Sequence, residues 1–271
     1  MISVTSLCDN VNNSKRLWST EGNSLLVDAF GRRILLDVGR SAEILLHNLD
    51  ALSVSPDSIT DVVLTHSHKG HVGAITEALP FKNAVFYYGD GFELPKYKRK
   101  GEEYKAVGNE RFLSGVGGTL ECVEELIRPL TENIFVFKSK RDYPFLREKK
   151  MQLLLDGQYL QDTFDEELNL CIKSSEGLIV ISGCSHGGVE NILKTAIALS
   201  GEKRIYAFVG GTHILDDGER TEKFVSLMRE LDVFCVAPTH CTGVFARAAI
   251  KQALPSHFAS LTTGESLVFK P

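Results

Sequence analysis

Apolar positions in the first third of the chain fall into two short runs, Asn23 to Asp28 and Arg32 to Val38, around a turn at Gly31. That pattern predicts a β-hairpin. The period then changes, because Ile44, Leu45 and Leu49 recur at helical spacing within Ser41 to Leu49. Ser55-Pro56-Asp57 is a helix-start signal ahead of a short turn. Asp61 to Thr65 predicts a buried strand, His71 to Leu79 a helix, and Ala84 to Tyr88 the next strand. The last third returns to regular alternation. Leu168 to Lys173 and Leu178 to Ser182 read as paired strands, Val189 to Leu199 as a helix, and Ile205 to Val209 as a strand. Thr221 to Leu231 and Phe245 to Leu254 read as helices flanking a strand at Val233 to Ala237, with Ser266 to Phe269 as a closing strand. Two such regions predict sheets packed face to face with helices outside, a four-layer αβ/βα sandwich of the α/β (α+β) class.

The middle of the chain breaks this rhythm. From about Glu93 to Asp162 it holds a basic run, Lys96, Lys98, Arg99 and Lys100, and a glycine stretch at 114–118. Thr119 to Ile127 is the one helix the spacing suggests there. The segment reads as a lid-like insertion, at about 93–162, on a single domain of residues 1–271, and it is expected to cover the site.

Composition narrows the classes. The 271 residues carry 43% hydrophobic and 24% charged residues and a formal net charge of −5, an ordinary globular balance that disfavours a nucleic-acid partner. No apolar run reaches the length of a membrane span. The N-terminal residues Cys8, Asp9, Asn10, Asn12 and Asn13 do not read as a signal peptide. Six scattered cysteines form no CxxC pair and read as reduced thiols in a cytoplasmic protein.

The chemistry lies in the histidines. Only 8 of 271 residues are histidine, yet His66, His68 and His71 fall within six positions directly after a predicted buried strand. A loop there projects 66 and 68 toward one side, and 71 turns back as a helix begins. Neutral imidazoles suit zinc, iron and manganese, with zinc the first expectation. His186, His213 and His240 each follow a predicted strand in a Gly- or Pro-containing loop, where α/β proteins place their chemistry. Gly187 and Gly188 open a helix whose backbone N–H groups are candidates to receive an anion.

These residues stand in motifs that resemble the metallo-β-lactamase superfamily. Thr65-His66-Ser67-His68-Lys69-Gly70-His71 is similar to its Thr-His-x-His-x-Asp-His, and Ile34-Leu35-Leu36-Asp37-Val38-Gly39 is similar to its Asp-ended strand. Ile181 to Gly188, Val209 to His213 and Ala237 to Gly243 resemble a subgroup of metal-dependent hydrolases like the methanopterin-pathway ribofuranosyl-aminobenzene-phosphate synthase. The resemblance implies a metallo-β-lactamase-like sandwich. It implies His66 and His68 at one metal position, and His71 and His240 at another or as catalytic base or hydrogen-bond donor. Asp37 is then a supporting catalytic residue, and His186 a further ligand. Cys184 falls where many members carry a bridging Asp, as a thiolate ligand or a buried structural cysteine. His213 is a ligand, a substrate contact or a core histidine.

Gly70 departs from the pattern, since glycine stands where the family Asp binds the second metal. One or two ions are in question, and at most one tightly bound ion is expected. The resulting expectation is a metal-dependent hydrolase of a small metabolite, with a phosphate suggested by Gly187 and Gly188. The alternatives are a non-hydrolytic transferase or synthase of the same fold, or a metal- and ligand-binding protein without turnover.

Overall fold

The computed structural model describes every residue except 77, 78, 109–112, 114, 115, 146 and 147. Parts of the helix expected over 71–79 and of the glycine stretch at 114–118 therefore lie outside the described residues.

The chain opens with a strand that the alternation had not suggested, β1 (Ile2–Cys8), antiparallel to β2 (Ser24–Ala29). The predicted hairpin follows, with β2 turning into β3 (Arg32–Leu36) through Phe30 and Gly31, both at positive φ. Two such residues give a turn whose twist matches the strands it joins. Helix α1 (Ala42–Ala51) then leads to β4 (Asp61–Val63), the one-turn α2 (Lys69–Val72) and β5 (Val85–Gly89). The next elements are β6 (Lys96–Lys100), β7 (Glu103–Ala106), β8 (Thr119–Val123), β9 (Ile127–Pro129) and β10 (Ile134–Lys138). They are followed by β11 (Met151–Leu155), β12 (Gln158–Gln161), β13 (Leu168–Ser174), β14 (Gly177–Ser182) and α3 (Val189–Ser200). The chain closes with β15 (Ile205–Gly211), α4 (Gly218–Glu230), β16 (Cys235–Thr239), α5 (Val244–Ala253) and β17 (Ser266–Phe269).

Two large sheets result, in the orders β17-β1-β2-β3-β4-β5-β8 and β16-β15-β14-β13-β10-β9. Their facing sides share one apolar core, which includes Val4, Val27, Ile34 and Val63 from the first and Val136, Leu170, Ile181 and Val209 from the second. Leu45 and Leu49 of α1 cover the outer face of the first sheet with Leu35 and Val62. Ile192, Phe224 and Ile250, from α3, α4 and α5, cover the outer face of the second with Val180 and Phe208. Helix, sheet, sheet and helix are thus the four expected layers, and strands buried on both faces explain the continuous apolar runs of β14 and β15.

Two expected elements differ. The helix over Thr119 to Ile127 is instead β8 and β9. Leu120, Val123 and Ile127 imitate a helical stripe, but β8 pairs along the parallel edge at β5 and β9 pairs with β10, so sheet pairing overrides a weak local period. The helix over 71–79 is only α2 followed by a 3₁₀ turn at Gly73–Thr76. Gly73 is pressed on Arg40, whose carbonyl oxygen would stand 2.5 Å from an added Cβ.

The segment at 93–162 is accordingly split. Its ends form a separate four-stranded sheet, β12-β11-β6-β7, while β8, β9 and β10 belong to the two main sheets. The small sheet is tied to the histidine loop, because the Lys69 N–H donates to the Val107 carbonyl at 2.9 Å. A buried ion cluster holds its other end. Lys96 Nζ lies 2.9 Å from both Asp162 Oδ1 and Glu166 Oε1, and all three residues are buried. Lys98, Arg99 and Lys100 are exposed, a solvated surface.

Candidate metal centre

The strand-end loops of both sheets meet at one edge, and each turns sharply there. Asp37 follows β3, Ser185 follows β14, His213 follows β15 and His240 follows β16, all with φ between 44° and 61°. Left-handed backbone is costly for residues with a side chain, and its clustering marks a functional edge.

Hydrogen bonds fix which ring nitrogen is free at His71, His66 and His240. Asp37, fully buried, accepts from the Thr65 N–H at 2.8 Å and the Thr65 hydroxyl at 2.9 Å. Its Oδ2 also lies 2.6 Å from His71 Nδ1. A carboxylate only accepts, so His71 Nδ1 carries the proton and Nε2 is bare. The Thr65 hydroxyl is committed to Asp37, so at 3.0 Å it accepts from His66 Nδ1, again leaving Nε2 bare. Asn10 Oδ1 accepts from the Gly22 N–H at 3.2 Å and lies 2.9 Å from His240 Nδ1, which makes Nδ1 the donor there too. His186 Nδ1 faces the Glu148 carboxylate at 3.4 Å.

The bare nitrogens converge. The Nε2 atoms of His66, His68 and His186 are buried without a hydrogen-bond partner. His71 Nε2 and His240 Nε2 face each other at 3.1 Å, lone pair against lone pair, and His71 Nε2 lies 3.1 Å from Cys184 Sγ. The ligand atoms of His66, Cys184 and His186 lie within 4.8 Å of one another, as do those of His71, Cys184 and His240. Cys184 is common to these two triads and to a third with His213 and Cys241. Buried donors left unpaired and aimed at one point fit a cation, and the nitrogen and sulfur set suits zinc, with iron or manganese as alternatives.

Electrostatics favour the neutral form, in which imidazole ligates, at His66, His68, His186 and His240. Burial, then the neighbouring histidines, hold His66 and His68 well below the usual range. Burial and His71 bring His240 down to about 3, and burial also lowers His186. His213 behaves in the opposite way. Burial lowers it, but contacts with Cys241 and Glu148 outweigh this and raise it to about 10. Its ligand atom nonetheless lies within 4.8 Å of those of Cys184 and Cys241, and of those of Glu148 and His186. Burial raises the Cys184 thiol well above its ordinary value.

The structure thus brings together the ligand atoms of His66, His71, His186, His240 and Cys184. The His68 ring stands beside them, its centroid 4.7 Å from that of His66 and 5.3 Å from that of His186, and Asp37 lies directly behind His71. Gly187 and Gly188 sit otherwise than their motif suggests. The Gly187 N–H donates to Glu167 Oε2 at 2.8 Å and the Gly188 N–H to the Ser185 carbonyl at 2.9 Å, so neither is free for an anion. Their small size has a packing reason, because a Cβ at 187 would stand 2.3 Å from Ser139 Oγ.

Several site residues escape sequence reasoning. Asp9 Oδ2 accepts from the His240 N–H at 2.6 Å and pairs with Arg247 at 3.3 Å. With Asn10 it positions His240, and the alternation of Ile2 and Val4 in the unread β1 was the available signal. Glu148 carries no signal, since it lies in an irregular charged stretch. Phe164 stacks on His186 with centroids 3.7 Å apart and rings 4° from parallel.

Comparison with known proteins agrees with this geometry. Residues 19–144 match the family model described as the metallo-beta-lactamase superfamily. The chain is 29% identical to the 7,8-dihydropterin-6-methyl-4-(beta-D-ribofuranosyl)-aminobenzene-5'-phosphate synthase of Methanocaldococcus jannaschii, over 93% of this chain and 91% of that one. It is also similar to a solved metal-dependent hydrolase of the β-lactamase superfamily, with TM-score 0.85, 27% identity and full coverage of both chains. The zinc-bound PqqB of Methylobacterium extorquens shares the fold at TM-score 0.55 and 14% identity, over 98% of this chain and 100% of that one. The fold is the metallo-β-lactamase fold. No helix among the described residues is long and apolar enough to cross a membrane.

Proposed function

We propose that this chain, with its metallo-β-lactamase fold, is a metal-dependent hydrolase of a small metabolite. The observation that carries the reading is the convergence of bare, partnerless Nε2 atoms on Cys184. His66, His68 and His186 hold the first ion, zinc in the first instance, with Cys184 beside them. A bound divalent ion supplies Lewis acidity toward a phosphoryl or acyl oxygen and a more acidic water. Asp37 and Glu148 orient His71 and His186 from behind, in the manner of carboxylates that fix ligand tautomers. His71 and His240 hold a second, weaker ion or, without it, serve as base and hydrogen-bond partner to the reacting group. His213 contacts substrate as a cation. The small sheet at the ends of the 93–162 segment acts as a lid that tunes access. A small-molecule substrate, no nucleic acid and a reducing, cytoplasmic setting complete the reading, the last on six free thiols.

The test is elemental analysis of the purified protein, followed by a screen of phosphodiesters, thioesters and lactones with the metal found. Turnover in at least one class is expected. No turnover in any class by metal-loaded protein would contradict the reading. A second reading, a non-hydrolytic synthase, draws on the 29% identical archaeal relative and on Gly70. It is favoured if product forms only when two substrates are supplied.

A further inference from the structure

Beside the candidate metal centre lies a cavity of about 480 Å³ whose outer wall is formed by residues with no role so far. His186 and His213 close the end that adjoins the metal centre, and Phe145, Ile214, Phe224 and Leu227 give it an apolar wall. Such a volume accommodates a small organic molecule. Its rim carries four carboxylates, and each is already engaged. Glu148 faces His186 and His213. Glu190 pairs with Lys194 at 3.4 Å, and Glu219 with Lys223 at 2.6 Å. Asp217 caps its own helix by accepting from the Arg220 N–H at 3.0 Å. Arg220 differs from the other rim cations. It is half-buried, yet among the described residues its guanidinium makes no hydrogen bond or ion pair. The Asp217 and Glu148 carboxylates attract it at longer range, but a partly desolvated guanidinium with no hydrogen-bond acceptor is an incomplete site, and its planar fork matches phosphate or carboxylate oxygens.

We propose that this cavity seats the non-reacting part of the substrate and that Arg220 selects an anionic group, phosphate or carboxylate, carried on an apolar body of ring size. The proposal rests on the hydrolase reading for its placement beside the reaction. The apolar wall takes the body of the molecule, and the metal centre meets the bond beyond His186.

Calorimetric titration of metal-loaded protein with phenyl phosphate and with benzoate tests this, on the unmutated chain and on Arg220→Met and Arg220→Lys. At least one probe is expected to bind saturably, and the tighter of the two identifies the anion. Arg220→Met should weaken that binding at least tenfold with metal content unchanged. Arg220→Lys should fall between, because it keeps the charge without the fork. Binding by Arg220→Met equal to that of the unmutated chain, or no saturable binding of either probe, would overturn the proposal. Turnover of phosphodiesters, thioesters and lactones by the same preparations separates the two ideas. Its absence in every class alongside Arg220-dependent binding sinks the hydrolase reading and leaves the anion seat standing.

Discussion

Replacing Gly70 by aspartate restores a carboxylate where the superfamily pattern has one. The backbone tolerates it, since Gly70 sits in α2 without positive φ. An added Cβ would meet Gly22 Cα at 3.5 Å, the Glu21 carbonyl oxygen at 3.7 Å and His240 Cε1 at 3.9 Å, all ordinary contacts. The new carboxylate therefore enters beside His240, in the triad that holds only two imidazoles and the shared Cys184. A unit negative charge about 4 Å from a divalent ion contributes roughly 8 kcal/mol at an effective dielectric of 20. Desolvation of the carboxylate offsets several kcal/mol of that attraction. A net tightening of about ten- to a hundredfold at the second position is the expected remainder. Equilibrium dialysis against zinc with elemental analysis reads it directly. The unmutated chain should retain one equivalent after dialysis and Gly70→Asp should approach two, with circular dichroism unchanged. Two full equivalents in the unmutated chain would refute the reasoning, as Cys184 would then supply the missing negative charge unaided.

Cobalt substitution should give the intense near-ultraviolet absorption of a thiolate ligand, and Cys184→Ser should remove it. A cobalt spectrum without that band in the unmutated chain would make Cys184 structural. Lys96→Met leaves Asp162 and Glu166 buried without their cation, which costs about 3–5 kcal/mol and should lower Tm by on the order of 10 °C. A change near zero would mean that the cluster does not anchor the small sheet. Limited trypsin digestion should cut first at the exposed Lys98 to Lys100 strand, with phenyl phosphate slowing the cut. Protection indifferent to ligand would make the small sheet a fixed element and not a lid.

Legibility in the sequence followed the strength of the periodic signal. The hairpin at Gly31 and the α/β alternation after Leu168 were readable because long apolar runs and glycine breaks leave few options. The helix over Thr119 to Ile127 misled because three apolar residues at helical spacing say nothing about the edges of β5 and β10, which captured β8 and β9. His66, His68 and His71 were readable as a local cluster, whereas their supports arrive from far along the chain. Asp9 and Asn10 meet His240 across more than two hundred residues, and Glu148 meets His186 from an irregular stretch without a pattern of its own. The N–H groups of Gly187 and Gly188 were misjudged because the Glu167 carboxylate reaches Gly187 by tertiary packing and a local turn spends the Gly188 N–H on the Ser185 carbonyl.

The central claim is that His66, His68 and His186 hold a metal ion beside Cys184. The most direct measurement is the metal content of the dialysed protein and of His68→Ala, by elemental analysis on samples of matched circular dichroism. One equivalent of a divalent ion in the unmutated chain and loss of most of it in His68→Ala is the predicted result. Equal metal content in the two proteins, or none in either, would contradict it.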